Sequence, residues 1–322
     1  MSDTLIQTSN PEAAEHVARE TIERFISNPE LLELASAFGF EPQEGDLLPQ
    51  LKEFSNQHWD FRKGKERHDT DFDVLDDDKK AKAMEAAASL GMVGFTEPKK
   101  DDYNFVNVPG GAKQSPILRV SYAKNQMEAH GIQPKAMFLL GSSRQLGEAE
   151  RADVQNYAPG AKDEFDLMNA AAEQVFGVQL QSEDTIQLDN TKNGRQASEP
   201  DAWRVRYYQA PSGLHIISVS APQIEGERRV NTADTFHFVR EVVGAEELNG
   251  ANILNVTTDL YVPFQDADAK RLLGLTSNAK IETIGYGGID RPPESYLQEI
   301  NSAFNQMILL QDALTRQEAM VA

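Results

Sequence analysis

The sequence predicts an α/β fold: a doubly wound, mainly parallel five-stranded sheet preceded by a helical N-terminal segment. Three observations carry this. An apolar segment at 103–108 runs into Gly110-Gly111, a helix-like run stopped by Gly131 follows, and a second apolar segment at 136–140 ends on Gly141. Strand, glycine turn, helix and strand in that order make the βαβ unit of a parallel sheet. Further apolar segments then alternate with helical periods to the end of the chain. Residues 1–98, by contrast, show helical periodicity and no strand signal.

The N-terminal segment reads as three helices. Asn10-Pro11-Glu12 opens the first, with Ala14, Val17, Ala18, Ile22, Phe25 and Ile26 as its apolar stripe, and Asn28-Pro29-Glu30 opens the second with the same cap chemistry. A polar and aromatic stretch at 54–72 holds Trp59 and the basic run Arg62-Lys63-Gly64-Lys65. A third helix is expected from Asp77 to Leu90. Lys99-Lys100-Asp101-Asp102 is the expected junction, giving a helical segment at 1–98 that packs on an α/β body at 99–322. In the body, Ser115-Pro116 reads as N-cap and first helical residue. A helix near 163–176, an exposed polar loop at 189–200 and an extra edge strand at 203–208 follow. The winding resumes with strands at 214–219, 252–256 and 280–284 and helices at 232–243, 263–273 and 294–314.

Composition narrows function. A net charge of −20 disfavours nucleic acid and anionic membrane as partners, because phosphate neutralisation needs clustered Lys and Arg. A small-molecule ligand remains the expected partner, with oligomeric state open. Zero cysteines excludes disulfides, thiolate nucleophiles and Cys-based metal centres. No basic leader with an apolar core opens the chain, and no apolar run approaches ~18 residues, so a cytoplasmic location is expected. Gly-x-Gly-x-x-Gly, the phosphate-loop pattern, His-x-x-x-His and Gly-x-Ser-x-Gly are all absent, which disfavours classical NAD or ATP binding, a zinc helix and a hydrolase elbow. Asp69-x-Asp71-x-Asp73 opens like a calcium loop, but Val74 and Lys80 stand where glycine and glutamate belong.

Candidate site residues gather at the carboxyl ends of the strands, where open parallel sheets hold ligands. Gly110 and Gly111 let a ligand approach the backbone, or simply make a tight βα turn. Gly141, Ser142 and Arg144 suit a phosphate or carboxylate, unless Arg144 pairs with Glu148 or Glu150. Glu164 begins a helix, where carboxylates are also common for dipole reasons alone. Arg228 and Arg229 precede the helix cap at Asn231 or Thr232, and either converge with Arg144 on one anion or pair with Glu225 and Glu227. Thr257, Thr258 and Asp259 end the fourth strand, with Asp259 the leading polar contact or general base. Tyr261 offers a hydroxyl or a packing face. Arg62, Lys63, Lys65 and Arg67 form a lid over the crevice or balance the acidic run at 69–78.

Gly110-Gly111 after the first strand, Asn231-Thr232 opening a later helix and Thr257-Thr258-Asp259-Leu260-Tyr261-Val262-Pro263 resemble the YdcF / SanA–ElyC-like family over residues 101–286. That resemblance implies a Rossmann-like fold, a nucleotide-type ligand with S-adenosylmethionine as the candidate cofactor, and an acidic residue at Glu164 for a sugar hydroxyl. Tyr261 and Phe264 stand where the family pattern has His and Arg. Two functional readings result. One is a protein binding a nucleotide-type or phosphorylated small molecule, extending by analogy to transferase or hydrolase chemistry. The other is a non-catalytic interaction or regulatory protein with a degenerate site.

Overall fold

The structure, a computed structural model, describes residues 11–61, 75–178, 185–188, 203–221 and 232–321. The basic residues Arg62, Lys63, Lys65 and Arg67, the Asp69–Asp73 run, the polar loop at 189–200, and Glu225, Glu227, Arg228, Arg229 and Asn231 lie outside the described residues.

Among the described residues four helices precede the first strand: α1 (Pro11–Ile26), α2 (Pro29–Ala37), α3 (Leu47–His58) and α4 (Asp77–Ser89). The Asn28 side chain caps α2 by accepting the Leu31 N–H at 2.9 Å, and Asp46 and Asp76 cap α3 and α4 in the same way. Helix α3 corrects the reading of three helices. Pro49 falls inside its first turn, where a missing N–H costs nothing, and the polar residues around Phe54 disguise its stripe of Leu48, Leu51 and Ser55. These helices do not close a core among themselves. Helix α2 packs on α4, and α1, α3 and α4 pack on the long C-terminal helix, so that Leu31, Leu34, Leu48, Leu51, Trp59 and Ala86 share one core with Leu297, Ile300, Phe304 and Leu310.

The body is α/β with a mostly parallel sheet. In chain order it comprises β1 (Phe105–Pro109), α5 (Ser115–His130), β2 (Ala136–Ser142), α6 (Glu148–Asp153), α7 (Glu164–Phe176), β3 (Thr185–Leu188), β4 (Trp203–Gln209) and β5 (His215–Ala221). Helices α8 (Thr232–Val243) and α9 (Ala245–Leu248), strand β6 (Asn252–Thr258), a 3-10 turn at Asp259–Tyr261 and α10 (Val262–Ala269) come next. A π-helical turn at Lys270–Gly274, α11 (Leu275–Ser277), β7 (Lys280–Tyr286) and α12 (Pro293–Val321) complete it.

Among the described residues the sheet has seven strands in the order β3-β4-β5-β2-β1-β6-β7, not the five expected. The core strands β5, β2, β1, β6 and β7 are parallel, while β3 and β4 form an antiparallel hairpin on the β5 side. The segment expected as an edge strand, β4, is therefore flanked on both sides. Its partner β3 has four residues, too few to show alternation. At the cap of α5, Gln114 takes the place expected for Ser115 and makes no side-chain capping bond, whereas Gly131 ends the helix in the left-handed conformation at φ 66° as expected.

Helices cover both faces of the sheet. Val106, Val108, Met137, Leu139, Leu254 and Val256 pack under α5 and α7. Phe105, Phe138, Leu140, Val219 and Ile253 face α8 and α10. The connection leaving β1 for β2 uses α5, and the one reaching β6 uses α8. The helical layer thus changes side between β1 and β6, and their carboxyl ends form a topological switch point.

Candidate functional site

At the end of β1, close packing explains both glycines. The Gly110 N–H donates to the Leu140 carbonyl at 2.7 Å, and a Cβ at Gly110 would lie 2.5 Å from that oxygen. A Cβ at Gly111 would meet the Ser115 Cβ at 3.1 Å and Nη1 of Arg119 at 3.5 Å. The turn is held tight enough for a side chain from α5 to reach across it.

That side chain is Arg119, which the sequence reading missed. It is 2% exposed. Its Nε donates to Thr258 Oγ1 at 2.9 Å and its Nη1 to the Pro109 carbonyl at 2.8 Å, with a further bond to the Gly110 carbonyl. The guanidinium lies 5.6 Å from the centroid of the Tyr261 ring. Arg119 thus joins the ends of β1 and β6. The available signal was positional: Arg119 sits within the buried stripe of Pro116, Val120 and Ala123.

Asp259 follows Thr258 and acts as a strut. Its Oδ1 accepts the Leu260 N–H at 2.8 Å and Nη1 of Arg291 at 3.0 Å, and its Oδ2 accepts the Gly94 N–H at 3.1 Å. Burial pushes its pKa up, against the opposing pull of the Arg291 charge. Through Gly94 it fastens the segment joining helices to sheet, which also pairs Thr96 with Gly285. Phe264 packs against the helical core.

A second cluster occupies the end of β2. Arg144 Nε donates to Glu164 Oε1 at 2.6 Å, and its Nη1 donates to both oxygens of Glu150 at 3.0 and 2.9 Å. Ser142 Oγ donates to Glu164 Oε2 at 2.6 Å. Burial opposes the Arg144 charge, but the two carboxylates outweigh it and raise its pKa above the ordinary value. The expected Arg144–Glu150 pairing is present, and Glu164 joins it. Gly141 has a packing role here, since a Cβ would lie 2.9 Å from Cα of Phe165 in the first turn of α7. Asp163 caps that helix through the Asp166 N–H and accepts Nη2 of Arg204 at 2.6 Å; burial raises its pKa.

The candidates therefore fall into two groups. Gly110, Gly111, Thr258, Asp259 and Tyr261 meet at the switch point around Arg119. Gly141, Ser142, Arg144 and Glu164 form their own network at β2. Thr232 begins α8 and its carbonyl accepts Thr235 Oγ1 at 2.7 Å. Thr257 is fully buried, and its Oγ1 has no hydrogen-bond partner among the described residues. Two cavities lie elsewhere: about 450 Å³ beside Asp163, Arg204 and Arg206, and about 880 Å³ at the opposite end of the sheet beside Pro134 and Pro211. Neither is lined by a residue of the switch point. Among the described residues no His, Cys, Asp and Glu cluster could hold a metal ion, and no helix is long and apolar enough to cross a membrane.

Comparison with known proteins corrects the family resemblance. The family model described as the Rv3785 N-terminal domain matches residues 9–91. The chain is 28% identical to the uncharacterized protein Rv3785 of Mycobacterium tuberculosis (strain ATCC 25618 / H37Rv) over 336 residues, covering 94% of this chain and 92% of that protein. The same identity and coverage hold for the uncharacterized protein Mb3814 of Mycobacterium bovis. No solved structure matches. These similarities point to Rv3785-like proteins and not to the YdcF / SanA–ElyC-like family. The quoted motifs misled because a glycine pair after a strand and a Thr-Thr-Asp strand end recur wherever parallel strands meet helices. The argument for S-adenosylmethionine falls with that family.

Proposed function

We propose that this protein binds a nucleotide-type or phosphorylated small molecule at the switch point between β1 and β6. The observation that carries the reading is Arg119, a cation held at the carboxyl ends of both strands. Next to it, the first turn of α5 follows the Gly110-Gly111 turn, an arrangement whose N–H groups and helix dipole favour an anion. The strand order supports a doubly wound, Rossmann-like arrangement, whose ligands occupy this position. In this reading Arg119 and the glycine turn take the anionic group, Thr258 and Tyr261 flank it, and Asp259 keeps the rim rigid. The Arg144 network stands beside the ligand as scaffold. An acidic, cysteine-free chain of this kind fits a cytoplasmic setting.

Thermal denaturation with inorganic phosphate, pyrophosphate and ribose 5-phosphate tests the reading. A ligand at a hundred times its dissociation constant adds about 2.7 kcal/mol of stability. Arg119→Gln is expected to weaken binding by about 1.5–3 kcal/mol, the range for a charge-assisted hydrogen bond. A flat response to all three probes overturns it.

One observation favours a second reading, a non-catalytic interaction or regulatory protein. Phe95, Val93 and Ile289 are 57%, 37% and 37% exposed near the Asp259–Arg291 strut. A stable hetero-complex by native mass measurement, formed without added ligand and lost on Phe95→Ser, would support it.

A further inference from the structure

Helix α7, the turn at 158–162 that precedes it and strand β4 border the cavity of about 450 Å³. Asp166, Ala170 and Glu173 line it from α7, at spacings that put them on one face of the helix. Arg204, Arg206 and Tyr208 alternate along β4 and so share the strand face that packs on α7. The space between these walls stays open because Ala170 on the helix and Gly160 in the turn bring little or no side chain to it. Both signs of charge line the cavity. The guanidiniums of Arg204 and Arg206 lie 4.4 and 5.4 Å from the centroid of the Phe165 ring. Asp163, 5% exposed, holds Nη2 of Arg204 at 2.6 Å. On the other wall, Oδ2 of Asp166 accepts the Lys162 N–H at 2.8 Å, and Oε1 of Glu173 accepts the Tyr208 hydroxyl at 3.3 Å. Neither Asp166 nor Glu173 makes an ion pair among the described residues, and one oxygen of each accepts no hydrogen bond there.

We propose that this cavity is a second ligand site, independent of the switch point, and that it takes a free α-amino acid. Such a ligand carries an ammonium and a carboxylate on one carbon. It therefore needs an anion and a cation that face each other across a small space, as the α7 and β4 walls do. The carboxylate suits Arg204, whose guanidinium plane is set by Asp163 and the Phe165 ring before any ligand arrives. The ammonium has three donors, and the open oxygens of Asp166 and Glu173 are its acceptors. A ligand of one sign fits less well: an inorganic anion would meet two carboxylates, and a diamine two guanidiniums. The volume falls within the range of small-molecule sites, roughly 300–1,000 Å³.

The test is calorimetric titration of the full chain with each of the twenty protein amino acids. At least one is expected to bind. Its N-acetyl and carboxamide derivatives, each lacking one of the two charges, should bind about tenfold or more weakly. Glu173→Gln keeps an acceptor for Tyr208 and should weaken binding about tenfold. Ala170→Leu fills the cavity with a good helix former and should abolish binding without lowering Tm. If that variant melts lower, Glu173→Gln decides alone. Arg119→Gln should leave the amino-acid affinity unchanged, and a loss there would place the ligand at the switch point and overturn the inference. A flat response to all twenty, a derivative that binds as tightly as its parent, or unchanged affinity in Glu173→Gln would also overturn it. None of these outcomes depends on the phosphate titrations, so the two readings stand or fall separately.

Discussion

The carboxyl ends of β1 and β2 are adjacent, yet their polar groups are arranged on opposite principles. At β2 charge meets charge: one guanidinium bonds two carboxylates and Ser142 bonds one of them, although Nη2 of Arg144 has no hydrogen-bond partner among the described residues. At β1 and β6 a guanidinium bonds a hydroxyl and two carbonyls, above a buried row whose amides bond nothing among the described residues. The two places differ in what answers the cation: carboxylates in the one and, in the bonds named for the other, neutral oxygens.

Breaking the Arg144 ion-pair network should give the largest effect. Arg144→Ala leaves two half-buried carboxylates facing each other and is expected to cost about 3 kcal/mol, read as a lowered urea midpoint at constant slope. A double-mutant cycle sharpens the comparison. Arg144 and Glu164 should couple by about 2–3 kcal/mol, whereas Arg119 and Thr258, a charged donor on a neutral acceptor, should couple by about 1 kcal/mol. Equal couplings at the two places would erase the distinction. Gly110→Ala tests whether the β1 turn is set by packing, since the new Cβ meets a backbone oxygen; about 2 kcal/mol of destabilisation is expected from overpacking.

The smallest effect is one of sign. Burial raises the Asp259 pKa above the ordinary carboxyl value of 3.8, so the folded state keeps a proton that the unfolded state has lost. Its contribution is then most favourable below that value and declines as pH rises through the folded pKa. Asp259→Asn removes this titration. The stability of the variant relative to the unaltered chain should therefore rise between pH 4 and pH 7, measured by denaturant melts at both. A relative stability that falls over that interval would mean that Arg291 outweighs burial.

The sequence was most legible where a local rule decides. Asn28 caps its helix, Gly131 ends α5, and the βαβ unit lies where glycine and apolar spacing put it. It was least legible where tertiary neighbours decide. Arg144 looked like an anion hook because Glu164 is remote in sequence, and only the fold brings the two to 2.6 Å. Arg119, on α5, and Asn107 and Asn255, within β1 and β6, carry no local sequence signal. Their significance depends on two strands, distant along the chain, pairing in one register. Strand β3 escaped for another reason, since a four-residue strand has no period to detect.

The packing of α1–α4 around α12 has a consequence for how the molecule comes into being. On the ribosome α1–α4 emerge before β1, with Leu48 and Trp59 lacking the surface that buries them, while α12 is made only after β7. The helical core cannot close during synthesis and must wait for the sheet to be complete, so the slow, non-local step of folding comes at the end. A fragment ending at Gly91 would carry the family-matched segment yet lack its partner helix, and is expected to remain molten when expressed alone.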